Sequence, residues 1–230
     1  MVHALTIQFM PTIKIHSIEP LNHNVRRFKT GKPEGYAFTP GQATHVSIDK
    51  DGLRDEDRPF TFTSLPDAGH LEFTIKIYPS HEGVTDQLDE LKTGDRLIIE
   101  EAWGAIQFKG KGTFIAGGAG MTPMLAILRD QSQKQTDAVE QVIFSNKTKK
   151  DLFLEEELRV ISNDNLLLTF TQENVDGAEH GRIDEDFLRK HVKNMDQFFY
   201  VCGPPKMVES VEKLLKQLGA EAGKIVTEGS

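Results

Sequence analysis

The pattern of apolar residues changes near residue 110, and this change constrains the fold more than any other feature of the 230-residue chain. Before it, short β-rich runs separated by turn residues alternate apolar and polar positions, as in "TIKIHSI", "ATHVSI", "LEFTIKIY" and "DRLIIEE". The segment "GVTDQLDEL" interrupts them with helical spacing of Leu88 and Leu91, and Thr85 is a candidate N-cap. Several strands with one helix predict a small antiparallel β-barrel.

After "FKGKG" the elements become longer, and strands alternate with helices. The predicted strands are "TFIAGG", "EQVIFSN", "LLLTFTQ" and "FFYVCG". The predicted helices are "TPMLAILRDQSQ", "LFLEEELRVISN", "DEDFLRKHV" and "PKMVESVEKLLKQLG". This alternation is typical of βαβ units around a parallel sheet. We therefore predict two domains, residues 1–110 and residues 111–230, the second with an α/β fold.

Composition excludes several classes of protein. The net charge of −8 argues against a nucleic-acid partner, because duplex binding draws on clustered Lys and Arg. No apolar run approaches the roughly 18 residues of a membrane span, and the start "MVHALTIQFM" lacks the features of a secretory signal, so we expect a cytoplasmic protein. The single cysteine, Cys202, rules out an internal disulfide and a four-cysteine iron–sulfur site supplied by this chain alone.

The segment "GGAGMTP" lies between a predicted strand and a predicted helix. Gly117, Gly118 and Gly120 allow a tight turn and close approach of a ligand to the backbone. Thr122 suits an N-cap and Pro123 the first helical position, and such a helix start attracts a phosphate. Because Pro123 stands where the dinucleotide fingerprint has its third glycine, the loop alone fits both a nucleotide site and a structural turn.

Two further segments have the same ambiguity. In "FFYVCGPPKM", Cys202 and Gly203 end a predicted strand, so this turn lies at the sheet edge where α/β proteins bind ligands, although a small buried cysteine is equally ordinary there. In "RPFTFTS", Arg58 offers a planar fork for phosphate and Phe60 a face for a flat ring, while nearby hydroxyls can donate. The same alternation of Phe and Thr is typical of a half-buried strand.

Taken together, "RPFTFTS", "IKIYPSHEGVTDQL", "GGAGMTP" and "CGPPKM" occur in an order that resembles the ferredoxin–NADP reductase superfamily. The likeness is greatest to its short flavodoxin-reductase and cytochrome-b5-reductase-like members and covers nearly the whole chain. Each motif is weak alone, whereas four in order are specific. The resemblance implies an N-terminal FAD-binding barrel and a C-terminal NAD(P)-binding domain.

The resemblance also assigns roles to residues. Arg58 would bind the flavin phosphate, Phe60 would stack on the isoalloxazine in place of the usual Tyr, and Thr61 would face the ring nitrogen that accepts hydride. The complete flavin set that it implies is Arg58, Phe60, Thr61, Phe62, Thr63, Ser64, Lys76, Ile77, Tyr78, Gly83, Val84 and Thr85.

For the nicotinamide nucleotide, the glycine loop would bind the diphosphate and the Cys-Gly-Pro turn would lie near the nicotinamide. Thr61 and Cys202 are the implied catalytic residues, with Cys202 positional rather than nucleophilic because no His is assigned to activate it. The complete nucleotide set is Gly118, Gly120, Thr122, Pro123, Ser145, Cys202, Gly203, Pro204 and Met207.

The expected function is transfer of hydride from NADH or NADPH to FAD, followed by electron transfer to a separate acceptor. Flavodoxin or ferredoxin would dock on a basic rim supplied by "VRRFK" with Lys109 and Lys111. Free flavins, quinones or ferric chelates remain alternatives, as does a non-catalytic electron-transfer subunit. A Rossmann dehydrogenase is disfavoured by Pro123 and "RPFTFTS".

The choice of nucleotide rests on "FSNKTKKDLF", which has Ser145 and three lysines but no Arg for a 2′-phosphate, so NADH is favoured. The chain ends "KIVTEGS", without the aromatic residue that covers the flavin in plant-type members. We expect a monomer that holds no metal.

Overall fold

The computed structural model describes residues 10–78, 84–104 and 106–228, apart from the side chains at positions 84 and 85. The N-terminal strands form one antiparallel sheet in the order β4-β3-β6-β1-β2-β5, with β7 beside β3. A bridge between Phe62 and Phe73 joins the segment after β4 to β5 and closes the sheet into a barrel. The strands are β1 (Thr12–Pro20), β2 (Val25–Gly31), β3 (Gln42–Ile48), β4 (Arg58–Thr61), β5 (His70–Lys76), β6 (Arg96–Ile99) and β7 (Trp103–Gly104), and helix α1 (Val84–Asp89) follows β5.

Alternation along the strands fills the barrel. In β1, Ile13 and Ile15 are buried while Thr12 and Lys14 are exposed, as the period of two requires. At the centre, the ring of Phe62 stacks on that of Phe38 with centroids 4.3 Å apart. The barrel thus has its own apolar core.

The C-terminal strands form a parallel sheet in the order β11-β10-β9-β8-β12-β13. Its strands are β8 (Gly112–Gly117), β9 (Val139–Asn146), β10 (Leu166–Phe170), β11 (Glu179–His180), β12 (Phe198–Cys202) and β13 (Ile225–Thr227). Its helices are α2 (Thr122–Gln133), α3 (Glu155–Ile161), α4 (Glu185–His191) and α5 (Pro205–Gln217). The predicted fold, a barrel followed by a parallel-sheet domain, is confirmed, while the boundary at residues 110 and 111 stays a prediction.

Helices cover both faces of the parallel sheet, so its central strands are buried throughout. Phe114 and Phe144 pack in the cluster that includes Leu125 of α2, whereas Ile115 and Ile143 pack in the cluster that includes α4 and α5. Every residue of β8 is buried, as expected for a strand covered on both sides. Among the described helices, none has the length and apolar character needed to cross a bilayer.

Two local predictions need correction. Helix α3 begins at Glu155 rather than near residue 152, because Leu154 adopts a left-handed conformation (φ 57°) that a helix cannot include. The segment "VRRFK", interpreted above as a surface basic cluster, is most of strand β2. Val25 is buried in the cluster that includes α2, and Phe28 is buried in the barrel core. The charged residues between them concealed this burial in the sequence.

The hydroxyl of Tyr200 fixes the connection between the domains. It donates to the carbonyl of Gly110 (2.7 Å) and accepts from the amides of Lys109 (2.9 Å) and Gly110 (3.0 Å). We expect Tyr200→Phe to lower the free energy of unfolding by about 1–3 kcal/mol, because the substitution leaves polar groups of the connection unpaired. Denaturant titration measures this loss. Tyr36→Phe, which removes a donation to Glu100 within the barrel, is the control, and an equal loss in both variants would contradict the prediction.

Candidate functional site

Two loops meet at the carboxyl edge of the parallel sheet, because β8 and β12 are neighbours that end together. A Cβ atom on Gly117 would lie 2.4 Å from the sulfur of Met207, and one on Gly120 would lie 2.3 Å from the carbonyl oxygen of Cys202. Gly203 also lies close to Gly117, since a Cβ there would lie 3.1 Å from the Gly117 Cα. Gly120 and Gly203 therefore allow the two loops to pack backbone to backbone, and Gly117 leaves room for the side chains of Met207 and Pro204.

Gly118 differs from these glycines. It has φ +53°, and a Cβ placed there would meet nothing within 4 Å. It therefore leaves open space at the start of a 3₁₀ turn, Gly118–Met121, that runs directly into α2. The amino end of this 12-residue helix and the open backbone beside it form a cradle suited to a phosphate.

The predicted role of Thr122 as an N-cap is wrong. Thr122 is the first residue of α2, and its hydroxyl donates to the carbonyl of Ala119 (2.9 Å) instead of accepting from a helix amide. The reason is that the 3₁₀ turn continues into the helix, which removes the extended residue that a cap needs. Pro123, predicted at the first helical position, is the second residue of α2 and is buried. Thr85 is likewise the second residue of α1 and not its N-cap.

The other residues predicted to bind the nucleotide converge on this edge. Ser145 is paired with Gly117 across the β8–β9 ladder. Pro204 precedes α5, and Met207 in its first turn packs toward Gly117. Three adjacent strands thus contribute to one edge, although their contact with a nucleotide stays a prediction.

Cys202 is 5% exposed, and burial together with the Glu228 carboxylate raises the pKa of its thiol well above the ordinary value. The thiol therefore remains protonated at neutral pH, which fits a positional role and not a nucleophilic one. Sequence reasoning missed Glu228. The parallel pairing of Val201 with Thr227 brings it beside Cys202, and only the β-rich run "KIVT" before it hinted at a final strand.

In the barrel, β4 presents part of the flavin motif to the outside. The guanidinium side chain of Arg58 is half exposed, with Glu56 4.0 Å away. Phe60 is partly buried at the edge of the barrel core, and Thr61 is 9% exposed opposite Ala43. Arg58 and Phe60 thus remain accessible to a phosphate and a flat ring.

The motif's later side chains pack into the barrel, and their contact with a cofactor stays a prediction. Phe62 is fully buried. The Thr63 hydroxyl donates to the Glu72 carboxylate (2.8 Å), and the Ser64 hydroxyl accepts from the Glu72 amide (3.0 Å). Ile77 is also a core residue, 2% exposed. Closure of the barrel turns these positions inward.

The remaining flavin residues lie at the end of β5 and after it. The ammonium of Lys76 is 5.9 Å from the ring centroid of Tyr78, whose side chain is exposed. Gly83 lies outside the described residues, as do the side chains of Val84 and Thr85.

Most cations of the predicted basic rim have carboxylate partners, so docking of an acidic protein there stays a prediction. Arg26 contacts Asp89 (2.9 Å), and Arg27 is largely buried among carboxylates. Lys111 lies 3.3 Å from both Asp137 and Glu140 and precedes β8, at the sheet edge opposite the glycine loop. The ammonium of Lys109 donates to Gln107. Within residues 10–78, 84–104 and 106–228, no group of three or more His, Cys, Asp and Glu side chains could hold a metal ion.

Comparison with known families and proteins agrees with this arrangement. Residues 12–108 match the Oxidoreductase FAD-binding domain family, and residues 114–213 match the Oxidoreductase NAD-binding domain family. NADH-cytochrome b5 reductase 2 of Mycosarcoma maydis is 31% identical over 221 residues, covering 86% of this chain and 62% of that protein. The reductase component of propane 2-monooxygenase from Rhodococcus jostii (strain RHA1) is 28% identical, covering 92% and 61%. The chain thus spans about three fifths of the length of these relatives.

A solved structure has the same fold. It is the flavohem-like FAD/NAD binding domain of nitric oxide dioxygenase from Vibrio cholerae O1 biovar El Tor, with a TM-score of 0.83 at 20% identity, covering 94% of this chain and 97% of that one. With both domain families matched in order, the chain belongs to the ferredoxin–NADP reductase superfamily and has its FAD-binding domain followed by its NAD-binding domain.

Proposed function

We propose that this chain is an NADH-dependent reductase that passes electrons through FAD to a separate one-electron acceptor. The observation that carries the proposal is the packing of Gly120 against the Cys202 carbonyl, which brings the glycine loop and the Cys-Gly-Pro turn to one sheet edge. When bound, FAD supplies a ring that takes up hydride from the nicotinamide and releases electrons singly.

The residues at the sheet edge and on β4 fit these groups. Gly118 and the amino end of α2 would hold the nucleotide diphosphate through backbone amides. Cys202 and Glu228 would lie beside the nicotinamide, since both lie at the carboxyl edge of β12 and β13. Arg58 would bind the flavin phosphate, and Phe60 and Thr61 would contact the isoalloxazine ring of the flavin.

NADH is favoured over NADPH by a carboxylate near the adenosine end. Glu173 follows β10 and accepts a hydrogen bond from the Lys149 amide (2.7 Å), which holds its charge at the carboxyl edge. A carboxylate there would accept from a ribose hydroxyl and repel a 2′-phosphate. Neighbouring Lys147 and Lys150 offer point charges without the planar fork of Arg.

For the acceptor, we propose a redox protein such as flavodoxin, ferredoxin or a b-type cytochrome. The names of the relatives support this class, since one acts with cytochrome b5 and the other is a component of a monooxygenase. Because Arg26, Arg27 and Lys111 are paired, docking would not depend on them, and small acceptors such as free flavins, quinones or ferric chelates remain a second candidate.

An anaerobic reduction experiment tests the proposal. We expect the purified protein to be yellow and to bleach with NADH about tenfold or more faster than with NADPH, since repulsion between two like charges exceeds the roughly 1.4 kcal/mol that a tenfold ratio requires. Glu173→Gln removes the charge and is expected to lower the ratio of the bleaching rate with NADH to that with NADPH. Bound flavin that neither nucleotide bleaches would show that the chain is not a reductase. Equal rates with both nucleotides would contradict the NADH preference alone.

A further inference from the structure

Four charged side chains form a closed network between the two domains, away from the sheet edge described above. Arg27 and Glu72 belong to the barrel, and Arg129 and Glu157 belong to helices α2 and α3. The Arg129 guanidinium lies 2.6 Å from Glu72 and 2.6 Å from Glu157. Arg27 lies 3.9 Å from Glu72 and 3.6 Å from Glu157. We call this set the interdomain ion network.

The network is largely shielded from water. The side chain of Glu72 is 6% exposed, those of both arginines 16%, and that of Glu157 30%. Burial raises the pKa of Glu72, but Arg129, Thr63 and Arg27 outweigh it, and the pKa is held below its ordinary value. The carboxylate is therefore ionised at neutral pH. Shielded ion pairs of this kind depend strongly on geometry, unlike exposed pairs.

Arg129 also contacts the segment "RPFTFTS", called the flavin segment below. Its guanidinium donates to the backbone carbonyl of Thr63, two residues after Thr61. At the other end, α2 begins at Thr122 beside the glycine loop, seven residues before Arg129. Seven residues are about two helical turns, or roughly 10.5 Å along the axis. One side chain thus connects the strand that carries Thr61 to the helix that starts at the nucleotide loop.

A second interdomain contact limits rotation about this point. The side-chain amide of Asn22 donates to the carbonyl of Asp151 (2.9 Å), and a nitrogen of the His23 ring lies 3.0 Å from the carbonyl of Lys150. These bonds join the turn before β2 to the turn before α3. Arg129 donates to a backbone carbonyl of the barrel, whereas Asn22 and His23 contact backbone carbonyls of the C-terminal domain. The two contacts therefore fix main-chain positions in each domain.

We propose that Arg129 is a positioning residue for hydride transfer, which fixes the separation of the flavin segment and the nucleotide loop through the interdomain ion network. This inference rests on the proposed function, because the reaction needs two rings held in contact. A displacement of about 1 Å can cost on the order of a hundredfold in rate. Arg129 and its partners are positioning residues and not catalytic ones, since they touch the barrel and the helices.

The test compares Arg129→Gln and Arg129→Lys with Arg189→Gln, which removes an exposed pair with Glu185 on α4. In stopped flow at saturating NADH, we expect Arg129→Gln to slow FAD reduction about tenfold to a hundredfold, with the Kd for NADH changed less than about threefold. Its long-wavelength charge-transfer absorbance, a signature of ring contact, is expected to weaken. Arg129→Lys keeps the charge but not the fork and is expected to lie between Arg129→Gln and the wild type.

A second readout does not use the reaction. Because Cys202 is the chain's one cysteine and is buried, spin labels can be placed selectively at Asp67→Cys and Ser210→Cys, one in each domain. We expect a narrow label-to-label distance distribution in the wild type and in Arg189→Gln, and a broad one in Arg129→Gln.

Two results would overturn the inference: an unchanged distance distribution in Arg129→Gln, or slowed reduction that appears only as loss of FAD or of NADH affinity. If Arg129→Gln does not fold, Arg129→Lys decides by the same two measurements. Failure of the proposed function is distinguishable, because the wild type itself would not bleach with NADH, whereas the spin-label distances would still report on domain positioning.

Discussion

Gly120→Ala is expected to be among the most damaging single substitutions in this chain. The added Cβ would lie 2.3 Å from the carbonyl oxygen of Cys202 and 2.6 Å from the amide nitrogen of Gly203, both backbone atoms in the neighbouring loop. Neither can move without displacing the end of β12. We expect the free energy of unfolding to fall by about 3 kcal/mol, the upper end for overpacking, and the Kd for NADH to rise by about tenfold or more.

Gly69→Ala is the matched control, because a Cβ there meets nothing within 4 Å and its backbone has no left-handed φ. It is expected to change stability by less than about 0.5 kcal/mol. Denaturant titration and calorimetric titration with NADH measure the two quantities. A Gly120→Ala protein with the stability and affinity of the control would mean that the two loops do not pack as described.

Glu72→Gln is expected to have an effect of similar size through charge. The substitution leaves the largely buried Arg129 without one of its two carboxylates, so we expect a loss of about 3 kcal/mol at neutral pH, the lower end for breaking a buried pair because Glu157 remains. The comparison variant is Glu185→Gln, whose exposed pair with Arg189 is worth less than about 1 kcal/mol.

The pH dependence of this difference has a definite sign. Since the folded-state pKa of Glu72 lies below its ordinary value of 4.5, its contribution to stability is fully present above that value. The contribution is lost as the pH falls through the folded-state pKa. The gap in unfolding free energy between the wild type and Glu72→Gln is therefore expected to shrink on acidification below 4.5. A gap that stays constant there would show that the ion pair does not stabilise the fold.

The order of elements could be predicted from the sequence because it depends on local pattern. Apolar alternation identified the barrel strands β1, β3, β5 and β6, and "TPMLAILRDQSQ" matched α2 from its first residue to its last. The glycine loop was identified for the same reason, since Gly117 and Gly120 precede a helix with proline in its first turn. These features follow from residues that are neighbours in the chain.

Other features depend on residues that are distant in the chain. Alternating Phe and Thr in "RPFTFTS" does not say which positions face the core, and only the bridge from Phe62 to Phe73 decides it. Likewise, the sequence alone indicates a surface charge at Arg27. Only the packing of β5 and α3 places Glu72 and Glu157 beside it. The role of Glu228 depends on the pairing of β13 with β12 at the end of the chain.

The packing of the two loops also bears on how this protein matures. The glycine loop is synthesised long before β12, and the elements from α2 to α4 lie between them. Until Cys202 and Gly203 dock against Gly117 and Gly120, one wall of the nucleotide cradle is missing. On the proposed function, nucleotide binding would arise only after the central strands of the sheet have assembled, and NADH would stabilise the completed C-terminal domain over every shorter chain.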